Sequence, residues 1–140
     1  MEDMSALRPL APHPEAAELR RWKLDSFGEL RDLRAALREA IKHHTDETDD
    51  LFDRMAVVAT ELATNALRHG LPPTEVVLLR HDERLILDVA DHDLGTLPEI
   101  AADRPLGAGG LGLQLTKTFA IDVGWYRTDL TKHVWASFPS

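Results

Sequence analysis

The chain contains no cysteine. That excludes disulfides and every metal site built on thiolates, and it removes any pointer to an oxidising compartment. No apolar run approaches the roughly 20 residues needed to span a bilayer. The first residues, MEDMSALRPLAPHPEAA, lack the basic start and apolar stretch of a secretory signal. Basic side chains are outnumbered, 16 Lys and Arg against 24 Asp and Glu, which leaves a net charge of −8. They are also scattered rather than clustered, so the chain offers no surface for tracking a phosphate backbone. These absences lead to the expectation of a soluble, cytoplasmic protein with no membrane span and no direct nucleic-acid partner.

Hydrophobic residues at 44% and charged residues at 29% are the balance of a globular domain. A length of 140 residues allows one domain with one sizeable core. Pro9, Pro12 and Pro14 among small residues mark residues 1–16 as a mobile arm, leaving residues 17–140 as a single domain. Glu18 to Leu24 reads as a first strand at a sheet edge. Leu30, Leu33, Leu37 and Ile41 recur at spacings of three and four, the stripe of an amphipathic helix. A polar turn, TDETDD, leads into a second helix from about Leu51 to Arg68, closed by Gly70 and the breaker pair Pro72 and Pro73. TEVVLLRHD and RLILDVADHD read as a hairpin turning near Asp82 and Glu83. Residues 92–109 are a long loop and lid candidate, Leu111 to Ile121 a third helix, and GWYRTD and KHVWASF two closing strands.

Three short motifs carry the chemistry. In VVATELATNALRHG, Glu61 and Asn65 stand four residues apart and so share one helix face, Cβ atoms about 6 Å apart. With Leu51, Met55, Val58, Leu62 and Ala66 on the buried stripe, that face is the helix shoulder, from which a side chain reaches a pocket at the core's edge. In LDVADHDLGTLP, Asp91 ends an apolar strand and Gly95 follows. In GAGGLGLQL, Gly107, Gly109, Gly110 and Gly112 open a helix, so backbone N–H groups and the positive end of the helix dipole face whatever anion approaches. Each piece alone is common: a polar pair on a helix edge, an acid in a turn, a glycine loop. The glycine run is neither a Walker loop, because no Gly-Lys-Ser/Thr follows, nor a Rossmann fingerprint, because the βαβ setting is missing. The acidic run Asp46 to Asp50 lacks the glycine and distal glutamate of a calcium loop and reads as a helix cap.

In this order the three motifs resemble the N-box and two glycine boxes of the Bergerat-fold ATP-binding superfamily. ELATNALRHG and GGLGLQL look most like its small anti-sigma-factor serine/threonine kinases. The resemblance covers about Trp22 to Phe138. It implies an α/β two-layer sandwich: a mixed, mostly antiparallel sheet covered on one face by about three helices. It further implies ATP and Mg²⁺ as cofactors, Asn65 as the Mg²⁺ ligand and Glu61 as general base. Asp91 would accept a hydrogen bond from the adenine amine. Gly95, Gly107, Gly109, Gly110, Leu111, Gly112 and Leu113 would shape the phosphate and lid region. Asp93 departs from the pattern, standing where a first glycine is expected. A hydroxyl at the start of the last strand usually assists adenine binding; Thr131 is the candidate, with His133 the alternative if the register differs. Implied partners are a sigma factor and an anti-sigma-factor antagonist, with the chain as a homodimer. The alternative is an interaction module of the same fold that binds ATP, or no nucleotide, without phosphotransfer.

Overall fold

The aliphatic alternation of the strands and the 3.6-residue stripes of the helices assemble one sheet with helices on one side. In the computed structural model, described for residues 8–44, 49–95 and 119–139, the elements are strand β1 (Arg8–Pro9), β2 (Ala17–Leu24), helix α1 (Leu30–His44), α2 (Asp49–His69), β3 (Thr74–His81), β4 (Arg84–Asp91), β5 (Asp122–Arg127) and β6 (Lys132–Pro139). The sheet order is β1-β5-β6-β4-β3-β2. Five strands are antiparallel, and β1 adds a short parallel pairing to β5, so the sheet is mixed and mostly antiparallel as expected.

Two helices match their expected positions. The Glu29 carboxylate accepts the N–H groups of Asp25 and Ser26 and starts the chain into α1 through a 3-10 turn. α1 buries Leu33, Leu37, Ala40 and Ile41. α2 lays Leu51, Met55, Val58, Leu62 and Ala66 against Val76, Leu78, Leu85, Leu87, Val89, Ala136 and Phe138 of the sheet. The hairpin turns at Asp82 and Glu83, with Asp82 at φ 54°, a left-handed conformation that Asp tolerates. Of the expected third helix, residues 111–118 lie outside the described residues. Ile121, expected to end it, stands just before β5, and its N–H donates to the Ser137 carbonyl.

Two features depart from the sequence reading. Part of the expected arm is a strand, since Arg8 and Pro9 pair with Gly124 and Trp125, and the Leu10 carbonyl accepts the Trp135 indole N–H at 2.6 Å. The sheet is also buried on the face away from the helices, where Val77, Ile86, Asp88, Ala90 and Trp135 are each under 9% exposed. There Asp88 accepts hydrogen bonds from Tyr126 Oη (2.5 Å) and His133 Nδ1 (2.7 Å), and the Tyr126 and His133 rings stack at 4.3 Å. Burial, and then the negative charge of Asp88, hold the Tyr126 phenol far above its usual titration range. Asp88→Ala therefore leaves two buried donors unpaired. It is expected to cost about 2–4 kcal/mol in urea unfolding while leaving ligand affinity per folded molecule unchanged, because the opposite face carries the site.

Candidate functional site

The C-terminal end of α2 abuts the C-terminal end of β4, and the candidate site is built there. The last helical hydrogen bond runs from Gly70 N–H to the Ala66 carbonyl at 2.9 Å. Gly70 lies so close to β4 that a Cβ on it would fall 2.4 Å from Asp91 Cγ and 2.5 Å from Asp91 Oδ2. Only a residue without a side chain lets the helix end pass this near the carboxylate. Asp91 is 5% exposed, and its Oδ1 accepts the Asp93 N–H at 2.7 Å.

The following turn is held by main-chain partners. Asp93 Oδ1 accepts the Gly95 N–H at 3.0 Å, so Gly95 belongs to a second side-chain-capped turn. His92 N–H donates to the Leu71 carbonyl, His92 Nδ1 donates to that of Pro73, and Arg127 donates to that of Leu94. Among the described residues Asp82 is the one non-glycine residue with positive φ. Asp93, at the position where a glycine was expected, therefore sits in ordinary backbone and bears no left-handed strain.

On α2, Asn65 lies just over one turn before Gly70, with Glu61 a further turn back. Asn65 Oδ1 and Nδ2 are both buried and have no hydrogen-bond partner among the described residues. Such groups are normally satisfied, and leaving them unpaired costs about 1–3 kcal/mol each. The arrangement fits a polar ligand that completes it, and a bare amide oxygen is a suitable hard donor for Mg²⁺. Burial pushes the Glu61 carboxyl above its ordinary value, against a smaller downward pull from the positive charge of Arg68. A carboxyl displaced in this direction is suited to taking a proton.

The β4–β6 register resolves the last strand. Asp91 pairs with Lys132, while Ala90 pairs with His133. Lys132 thus shares the helix-side face with Asp91, and its Nζ lies 3.8 Å from Asp91 Oδ2. Thr131 is not brought to Asp91. Its hydroxyl bonds to His133 Nε2 at 2.7 Å and to Thr128 Oγ1 at 2.6 Å, within the network of Asp88 on the far face. Three residues to which the sequence reading gave no part in the site lie at or near Asp91: Gly70, read there as a helix terminator, Lys132 and Thr74. The antiparallel β3–β4 register pairs Glu75 with Ala90, and Thr74 and Asp91 are the next residues along the two strands. Thr74 is fully buried, with Oγ1 unpartnered among the described residues. Gly107, Gly109, Gly110, Leu111, Gly112 and Leu113 lie outside the described residues.

An acceptor at a strand end, an amide unpartnered among the described residues and an acid one turn away thus lie together at one end of an α/β sandwich. The family of histidine kinase-like ATPase domains matches residues 25–138, and the chain belongs to that family. Membership points to ATP binding. Comparison with curated proteins found no match to the chain.

Proposed function

We propose that the protein is a serine/threonine kinase of the anti-sigma-factor type. It binds Mg·ATP and moves the γ-phosphate to a hydroxyl on an antagonist protein, and it holds a sigma factor when that antagonist is phosphorylated. The observation that carries this reading is the pairing on α2: Asn65 with two buried polar atoms unpartnered among the described residues, and Glu61 one turn away with its carboxyl pushed up by burial. The partners and the homodimer rest on the likeness of ELATNALRHG and GGLGLQL to the small anti-sigma-factor kinases.

Each residue has a task in this scheme. Asn65 Oδ1 holds the metal, which supplies charge neutralisation at the phosphates. Asp91 holds the base. Glu61 takes the proton of the attacking hydroxyl as its oxygen bonds to the γ-phosphorus, the bond to the β-phosphate oxygen breaks, and ADP leaves.

Glu61→Gln is the test. ATP affinity by calorimetry stays within about twofold. Phosphate transfer from radiolabelled ATP to an antagonist, and the slower ADP formation in which water replaces the hydroxyl, both fall by about 10²–10⁴-fold. The same change raises stability at neutral pH. Burial makes the folded chain bind the Glu61 proton more tightly than the unfolded chain, so this group's contribution is complete at acid pH and is lost as pH rises through its folded-state titration. The wild-type and variant melting curves therefore coincide at acid pH and diverge as pH rises, with the variant higher. Kinase turnover runs the opposite way, falling as pH drops and Glu61 takes up its proton.

The ion pair between Lys132 and Asp91 in the base region favours a second reading, a module that regulates partners by contact alone. Absence of ADP formation and of phosphate transfer in the wild-type protein supports that reading over the kinase, whereas transfer unaffected by Glu61→Gln removes only Glu61 as the base.

A further inference from the structure

We propose that Asp91 and Lys132 act as a paired reader of the adenine edge, with Lys132 Nζ donating directly to ring nitrogen N1 while Asp91 Oδ2 accepts from the 6-amino group. The proposal rests on the nucleotide reading above and names the residue that sets its base specificity.

The two side chains are each 8% exposed and lie side by side on the helix-facing surface, at the C-terminal end of β4 and the start of β6. Their separation of 3.8 Å is an ion-pair distance, longer than a hydrogen bond. A buried ion pair is a poor source of stability, because desolvating both charges offsets most of their attraction. A well-packed apolar pair would serve the fold equally well at these positions. Another buried polar group lies on the neighbouring strand: Thr74, one residue before the Glu75–Ala90 pair, is fully buried with Oγ1 unpartnered among the described residues. The absence of a Cβ at Gly70 leaves room beside Asp91 Oδ2 that any side chain there would fill.

The pair presents one acceptor beside one cationic donor. Adenine presents the complement, an amino donor beside the N1 acceptor. Guanine reverses the order, with a carbonyl acceptor beside N1–H and its 2-amino group, and a carboxylate reads those two donors best with both oxygens. Here Asp91 Oδ1 is already engaged by the Asp93 N–H at 2.7 Å, which leaves Oδ2 as the oxygen beside Lys132. One available carboxylate oxygen next to an ammonium group selects adenine.

Calorimetric titration with Mg²⁺ tests the assignment, using wild type and Lys132→Met against ATP, GTP and 1-deaza-ATP, which lacks only N1. Wild type is expected to bind 1-deaza-ATP about 10- to 100-fold more weakly than ATP, the effect of losing one charge-assisted hydrogen bond, and GTP more weakly than ATP. Lys132→Met is expected to bind ATP and 1-deaza-ATP equally. Equal affinity of wild type for ATP and 1-deaza-ATP overturns the proposal while leaving the nucleotide reading intact, and it needs no variant to fold. GTP binding as tight as ATP overturns it as well. No binding of ATP at millimolar concentration overturns the nucleotide reading and this assignment together.

Discussion

Asn65→Leu is expected to abolish Mg·ATP binding, by at least 100-fold in affinity, and at the same time to make the nucleotide-free protein more stable. The two effects share one cause. Asn65 Oδ1 and Nδ2 are buried without a partner among the described residues, so the unliganded fold carries their desolvation cost unrelieved. Leucine has the same branching and number of side-chain heavy atoms and no polar ones, and the neighbouring core is aliphatic, with Leu62 and Ala66 on the same helix. The expected gain is about 1–2 kcal/mol in denaturant unfolding. ATP added to wild type supplies the missing partners and raises its unfolding midpoint; the variant does not respond. A variant that is less stable than wild type and still binds ATP would remove Asn65 from the site.

Gly70→Ala produces the second large effect. The added methyl would lie 2.4 Å from Asp91 Cγ and 2.7 Å from the Ala66 carbonyl oxygen. The carbonyl belongs to the helix end and cannot retreat, so Asp91 must, and it is held by the Asp93 N–H and by Lys132. The expected result is a loss of about 1–3 kcal/mol from overpacking together with at least a tenfold fall in ATP affinity. Gly124→Ala is the matched control. Its Cβ would lie 2.8 Å from the Trp135 ring on the opposite face of the sheet, so stability falls similarly while affinity per folded molecule is kept. Equal affinity losses in both variants would show that the Gly70 effect is global rather than local to Asp91.

Local periodicity made much of the architecture legible. The apolar spacing of α2 fixed its bounds to within two residues and placed Glu61 and Asn65 together on its shoulder, and the short polar break at Asp82 and Glu83 located the hairpin. Non-local register was not legible. A slip of one residue turns every side chain of a strand to the other face, and nothing within KHVWASF says that Lys132 rather than Thr131 or His133 meets Asp91. Thr74 was hidden for the same reason, because its role comes from the strand beside it. Asp88 had a visible signal, an acid in the middle of LILDVAD, but its partners Tyr126 and His133 are 38 and 45 residues away. β1 was unreadable in composition: two residues, one of them a proline, form a strand only because an edge position makes no demand on the missing N–H.

That small edge strand bears on how the chain is made. The Leu10 carbonyl and the Trp135 indole that bind each other are separated by 125 residues. During synthesis residues 8–10 emerge well before β5 and β6, the strands that form their docking site. Residues 8–10 must therefore wait unpaired until β5 and β6 have been made, and their docking closes a loop of 125 residues.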